Sequence, residues 1–120
     1  MALRGIRGAI TVEENSREEI LQAAQLLVTN IMSANEMEIE NVGAIIFSVT
    51  KDLTAAFPAA GVRQIDAFRL IPLFDAQEME VEGSLQKCIR VLVLADLDKK
   101  QRDIVHIYLG EAKKLRPDLN

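Results

Sequence analysis

The 120-residue chain is 49% hydrophobic and 27% charged, with a formal net charge of −4 at pH 7, which is typical of one globular domain and excludes a disordered chain. The acidic balance and the absence of Trp argue against a nucleic-acid partner, and the longest apolar runs are too short to cross a membrane. Because there is one Cys, one His and no recognisable signal peptide, we expect a cytoplasmic protein without a disulfide or a structural zinc site.

The first half of the chain predicts a strand, a long helix and a second strand. Residues 3–13 alternate as a strand in which Arg7 stands among small residues on one face. The capping box SREE and apolar side chains at helical spacing then predict a helix over 16–34. The apolar run at 42–50 predicts a strand that is covered on both faces.

The second half predicts one short helix and three strands. Their ranges are 57–65 for the helix and 68–76, 87–96 and 104–110 for the strands, followed by a tail with a short extended piece. The order β-α-β-α-β-β-β favours an α+β (α/β-like) domain over residues 1–120, with a single mixed sheet and helices on one face.

Arg90 stands in the middle of the predicted strand at 87–96, both faces of which are mostly apolar. Strand alternation places it on the same face as Cys88 and Leu92. A guanidinium in such a place needs a compensating anion. The residues alone leave open whether that anion is Glu78 or Asp75 in a buried ion pair, or a small bound anion.

Five stretches occur in order along nearly the whole chain: RGIRGAITVE, LTAAFPAAGVRQI, QEMEVEGSLQKCIRVL, HIYL and LRPDL. Together they closely resemble the AroH class of chorismate mutase. Members of that family form a pseudo-α/β-barrel homotrimer with active sites between neighbouring subunits. They convert chorismate to prephenate, a Claisen rearrangement on the way to Phe and Tyr, without a metal or cofactor. The resemblance therefore implies chorismate as the substrate and a homotrimer as the assembly.

The resemblance also implies a role for each matching residue. Arg90 would be the catalytic cation at the ether oxygen, Arg7 and Tyr108 would bind the side-chain carboxylate of the substrate, and Glu78 would accept a hydrogen bond from its ring hydroxyl. Some residues would contribute from the adjacent subunit or line the site, namely Phe57, Ala59, Arg63, Leu73 and Phe74. Two residues of the tail would close the mouth of the site, namely Leu115 and Arg116.

Asp75 departs from the family pattern, which leads us to expect a small thiol or hydroxyl near the substrate ring. Two carboxylates at close range would raise the pKa of one of them. We therefore expect Asp75 either to turn away from Glu78 or to share a proton with it, which would make activity pH-sensitive.

The implied chemistry suits these residue types. Chorismate is a dianion, and its rearrangement needs neither proton transfer nor a nucleophile. The C–O bond breaks ahead of C–C bond formation, so negative charge develops on the ether oxygen. A fixed guanidinium at that oxygen stabilises the transition state more than the ground state. Rigid contacts to the two carboxylates and the hydroxyl hold the substrate in a compact geometry.

Several alternatives remain open on the residues alone. Arg7 at a strand end could extend to solvent, Tyr108 could be a core aromatic residue, and Glu78 could be a solvated carboxylate. Two rival functions are a RidA-like trimeric imine deaminase and a non-catalytic module that binds small carboxylates. The first does not explain RGIRGA and LRPDL together, and the second does not explain a site that is complete apart from Asp75.

Overall fold

The computed structural model describes residues 2–115, which contain five strands and two α-helices in the predicted order. The strands are β1 (Ala2–Thr11), β2 (Val42–Val49), β3 (Leu73–Gln77), β4 (Cys88–Leu97) and β5 (Ile107–Leu109), and the helices are α1 (Arg17–Ala34) and α2 (Pro58–Arg63). Short 3₁₀ turns occupy Ile39–Asn41, Asp66–Phe68, Gln101–Asp103 and Gly110–Leu115. No helix within this part of the chain is long and apolar enough to cross a membrane.

The strands form a single sheet in the order β3-β2-β4-β1-β5. The central strand β4 is antiparallel to both of its neighbours, β1 and β2. The outer strands are parallel to their neighbours, β3 to β2 and β5 to β1. The helix α2 provides the crossover that a parallel β2–β3 pair requires. The predicted α+β class with a single mixed sheet is confirmed.

Helix α1 begins where the capping box predicts. The backbone N–H of Glu19 donates to Ser16 Oγ (3.2 Å), and Glu19 Oε1 accepts hydrogen bonds from the backbone N–H groups of Glu13 and Glu14. The side chain of Glu19 thus bonds the backbone two and three residues before Ser16 rather than that of Ser16 itself. The helix then buries one stripe of side chains against the sheet and α2: Ile20, Leu21, Ala23, Ala24, Leu27, Val28 and Ile31.

Two glycines allow the helices to pack closely. A Cβ atom at Gly8 in β1 would lie 3.0 Å from side-chain atoms of Leu27 and Ile31 in α1. A Cβ atom at Gly61 in α2 would clash with the backbone of Leu21 in α1. Because side-chain atoms in a packed interior cannot overlap, these two positions set how closely α1 approaches the sheet and α2 approaches α1.

The helices cover one face of the sheet and leave the other face open. On the covered face, Ile89, Val91 and Val93 of β4 are buried. On the open face, Leu92 of β4 is 36% exposed and Phe74 of β3 is 64% exposed. The prediction that the strand at 42–50 is covered on both faces is therefore wrong for the single chain, because within residues 2–115 the helices lie on one side only.

Two strand boundaries differ from the prediction, and the predicted tail is described only in part. The third strand begins at Leu73 rather than 68, because Asp66–Phe68 forms a 3₁₀ turn. The last strand has three residues, because the backbone groups of Val105 bond the side chain of Asn35 instead: Val105 N–H donates to Oδ1 (2.8 Å) and the Val105 carbonyl accepts from Nδ2 (2.9 Å). The described part of the predicted tail, residues 112–115, lies in the 3₁₀ turn Gly110–Leu115, and the rest of that tail lies outside the described residues.

Candidate active site

The open face of the sheet brings Arg90 and Tyr108 into one row. The antiparallel register pairs Arg90 of β4 with Ala9 of β1, and the parallel register pairs Ala9 with Tyr108 of β5. Directly paired residues point to the same face of a sheet, so the three side chains lie side by side. Arg7 is two residues before Ala9 and therefore points to the same face. The small Ala9 side chain leaves space between the larger ones.

Above this row lies a cavity of about 140 Å³. Arg7, Arg90 and Tyr108 line it together with Leu115, the last residue that the structure describes. Tyr108 is buried and packs against Ala9, with Leu115 against the same apolar cluster. The structure thus brings together four residues that lie between positions 7 and 115 of the sequence.

Glu78 completes this group from the end of β3. Its backbone N–H donates to the carbonyl of Val49 (2.9 Å), which brings the side chain towards Arg90. Glu78 Oε2 lies 2.5 Å from Arg90 Nε, and the two side chains are 20% and 41% exposed. The Nε group has no aligned hydrogen bond in spite of this short distance, so the contact is chiefly Coulombic. We call Arg7, Glu78, Arg90, Tyr108 and Leu115 the Arg90 cluster.

Cys88 lies beneath the Arg90 cluster. It is fully buried and packs in the apolar group that contains Ala9 and Tyr108. Burial raises the pKa of its thiol to about 11, although the nearby Arg90 guanidinium acts in the opposite direction. The thiol therefore stays neutral at physiological pH and adds no charge of its own beside Arg90.

Six other predicted residues lie together on α2 and β3. Phe57, the residue before α2, is 69% exposed, and Arg63 at the end of α2 is also exposed. Ala59 is buried in the first turn of the helix. We call the full group the α2 cluster: Phe57, Ala59, Arg63, Leu73, Phe74 and Asp75.

Asp75 belongs to the α2 cluster through its hydrogen bond. Its Oδ1 accepts from the backbone N–H of Ala59 (3.1 Å). Asp75 pairs in register with Phe47, which is fully buried on the covered face, so Asp75 points away from the open face that carries Arg90. Burial raises the pKa of Asp75, partly offset by the Ala59 N–H and by the Arg63 guanidinium. Of the two expected arrangements, the structure shows the one in which Asp75 turns away.

Within residues 2–115, no member of the α2 cluster lines the cavity at Arg90. The predicted site residues therefore form two separate groups on one chain, five residues around Arg90 and six residues on α2 and β3 that do not line the cavity. The one predicted residue that belongs to neither group is Arg116, which lies outside the described residues.

The comparisons with known proteins identify the family. A family model described as chorismate mutase type I matches residues 3–119 of the chain. The chain belongs to this family. The resemblance predicted from the five sequence stretches is therefore confirmed, and with it the assignment to the isomerase that rearranges chorismate. Neither the RidA-like deaminase nor the non-catalytic binding module finds support.

Individual relatives match along almost their whole length. The chain is 51% identical to chorismate mutase AroH of Thermus thermophilus over 118 residues, which covers 98% of this chain and 96% of the relative. It is 44% identical to chorismate mutase AroH of Bacillus subtilis over 120 residues, which covers 100% and 94%. A solved chorismate mutase from Clostridium thermocellum superposes with a TM-score of 0.89 at 43% identity, over 92% of this chain and 97% of the other.

Two residues next to the Arg90 cluster were not identified from the sequence. Ser48 of β2 pairs in register with Arg90 and donates a hydrogen bond from Oγ to Glu78 Oε1 (2.7 Å). His106 Nδ1 accepts a hydrogen bond from the backbone N–H of Arg7 (2.9 Å). Ser48 did leave a signal, since it is the polar residue near the end of the apolar run VGAIIFSV. His106 was interpreted as structural, and its bond to the backbone of β1 agrees with that interpretation.

Proposed function

We propose that this chain rearranges chorismate to prephenate in an active site formed by the Arg90 cluster of one copy and the α2 cluster of a neighbouring copy. The observation that carries the proposal is the position of Arg90. Its side chain contacts the Glu78 carboxylate and lines a cavity that Arg7 and Tyr108 also line. This member of the chorismate mutase family thus has a guanidinium, paired with Glu78, at a cavity that a dianionic substrate can enter.

The charges of the Arg90 cluster suit the chemistry. The guanidinium of Arg90 would face the ether oxygen, on which negative charge develops as the C–O bond lengthens, and would stabilise that charge without a proton transfer. Arg7 and the Tyr108 hydroxyl would bind a carboxylate of the substrate, which fixes its orientation. Glu78 can still accept a hydrogen bond from the ring hydroxyl, because each carboxylate oxygen has more than one lone pair.

Three features support a site between two copies. The cavity of about 140 Å³ in one chain is smaller than the roughly 300–1,000 Å³ of typical ligand pockets, so one copy offers only part of a site. The α2 cluster exposes Phe57 away from that cavity. The open sheet face exposes Leu3, Phe74 and Leu92, which a second copy would cover. We therefore propose that the chain forms the homotrimer that the family resemblance implies and that it acts in the cytoplasm. Sedimentation of the purified protein measures the mass of the assembly and tests the trimer.

Turnover of chorismate tests the activity. Purified protein is mixed with chorismate, and the loss of the ultraviolet absorbance of the substrate is followed. Arg90→Ala should lower kcat by roughly 10²–10³-fold, as the loss of one transition-state donor typically does. Arg102→Ala is the matched control, because this exposed arginine belongs to neither cluster and its loss changes the net charge equally. The absence of turnover by the wild type would remove the proposed activity, and undiminished turnover by Arg90→Ala would remove the role of Arg90.

A further inference from the structure

Ser48 is placed to control how Glu78 contacts Arg90. It lies directly opposite Arg90 in the antiparallel register of β2 and β4, so its side chain points to the same open face. Its hydroxyl donates to Glu78 Oε1 (2.7 Å), while the other carboxylate oxygen, Oε2, lies next to Arg90 Nε. The two oxygens of Glu78 are therefore assigned to two different partners.

The separate contacts of the two Glu78 oxygens affect which N–H groups of Arg90 the carboxylate engages. An arginine and a carboxylate that are free to rotate prefer a bidentate pair, in which both oxygens meet two N–H groups of the guanidinium. Such a pair would engage terminal N–H groups of Arg90 that an anionic substrate also needs. Because Ser48 holds Oε1, Glu78 reaches Arg90 with Oε2 at the Nε position.

We propose that Ser48 is a positioning residue, whose hydroxyl holds Glu78 in a one-oxygen contact with Arg90 Nε and thereby keeps the terminal guanidinium nitrogens available to the substrate. The catalytic consequence of this role rests on the proposed function. The arrangement of the three side chains itself does not depend on it, and the two can be tested separately.

The kinetic test compares Ser48→Ala with Ser48→Thr. Ser48→Ala should lower kcat/KM by about 10- to 100-fold, because a hydrogen bond to a charged group contributes that much to the stabilisation of the arrangement it holds. Ser48→Thr keeps the hydroxyl and suits a strand, so its kcat/KM should stay close to that of the wild type. In a Glu78→Gln background, Ser48→Ala should have little further effect, because the two residues act through one contact. An equal loss in both backgrounds, or no loss in Ser48→Ala, would overturn the proposal.

Thr50 provides a matched control for a purely structural effect. It lies two positions after Ser48, and its Oγ1 accepts a hydrogen bond from the backbone N–H of Cys88 (3.0 Å) rather than from a side chain of the Arg90 cluster. Thr50→Ala should therefore change kcat/KM by the same factor with and without Glu78→Gln. Urea unfolding of each variant shows that the kinetic comparison is made on folded protein.

A spectroscopic test needs no turnover. The Nε–Hε resonance of Arg90 in a ¹H–¹⁵N spectrum, identified by its loss in Arg90→Lys, reports on the contact with Glu78. It should shift in Ser48→Ala and remain near its wild-type position in Ser48→Thr. If the wild type fails to convert chorismate, the proposed function fails while this comparison still decides the role of Ser48. An unchanged Arg90 resonance in Ser48→Ala would contradict the positioning role whatever the activity.

Discussion

Two inactive variants should restore each other's activity if each active site draws on two copies of the chain. Arg90→Ala damages the Arg90 cluster and leaves the α2 cluster intact, whereas Arg63→Ala does the opposite. Arg63 is exposed and Arg90 is partly exposed in the single chain, so neither change empties the core. The two variants are unfolded together, refolded as an equimolar mixture and compared with each variant refolded alone.

The size of the recovery follows from the arrangement of the two clusters. A site is intact when its Arg90 cluster comes from an Arg63→Ala chain and its α2 cluster comes from an Arg90→Ala chain. If the two variants assemble at random into rings, the Arg90 cluster of a site is undamaged in about half of the cases, and so is its α2 cluster. About one quarter of the sites should therefore have both clusters undamaged. Each mixed trimer would then hold about one intact site, and the measured rate should be about a quarter of the wild-type rate at equal total protein.

The absorbance assay with chorismate measures this recovery. The control mixture combines Arg90→Ala with Glu78→Gln, two changes in the same cluster. No site in that mixture can receive an undamaged Arg90 cluster, so its rate should not exceed the mean of its two components. A mixture of Arg90→Ala and Arg63→Ala that recovers no activity after joint refolding would refute the reasoning, because it would mean that both arginines serve a site within one chain or that the copies do not associate.

Three further changes test the packing and the electrostatics of the single chain. Gly61→Ala should lower the free energy of unfolding by about 2 kcal/mol, measured with urea, because its Cβ atom would overlap the backbone of Leu21. Asn35→Ala should lower it by about 2–3 kcal/mol, because the two partly buried hydrogen bonds between the Asn35 side chain and the backbone of Val105 are lost. Burial raises the pKa of Asp75 in the folded state above its pKa in the unfolded chain. The protonated carboxyl therefore contributes fully to stability at a pH below the unfolded-state pKa, and this contribution declines as the pH rises through the folded-state pKa. The stability of Asp75→Asn relative to the wild type should therefore increase from pH 3 to neutral pH, and a constant difference would contradict this.

Much of the secondary structure could be predicted because its causes are local. The capping box and the apolar stripe of α1 lie within twenty consecutive residues, and the structure confirms both ends of that helix. The extent of β5 could not be predicted, since Val105 bonds Asn35, which is 70 positions away in the sequence. The open face of β4 could not be predicted either, because the apolar pattern of Leu92 is the same whether a helix or another copy covers it.

The sequence by itself determined the family, since five stretches in order specify it without any knowledge of contacts. The same stretches identified the candidate site residues from Arg7 to Leu115, whose positions the structure then showed. Only the tertiary structure divided those residues into the Arg90 cluster and the α2 cluster, turned Asp75 to the covered face and placed Ser48 against Glu78. The physical reason is that alternation assigns a side chain to one of two faces, whereas strand register and helix packing decide which neighbours it meets there.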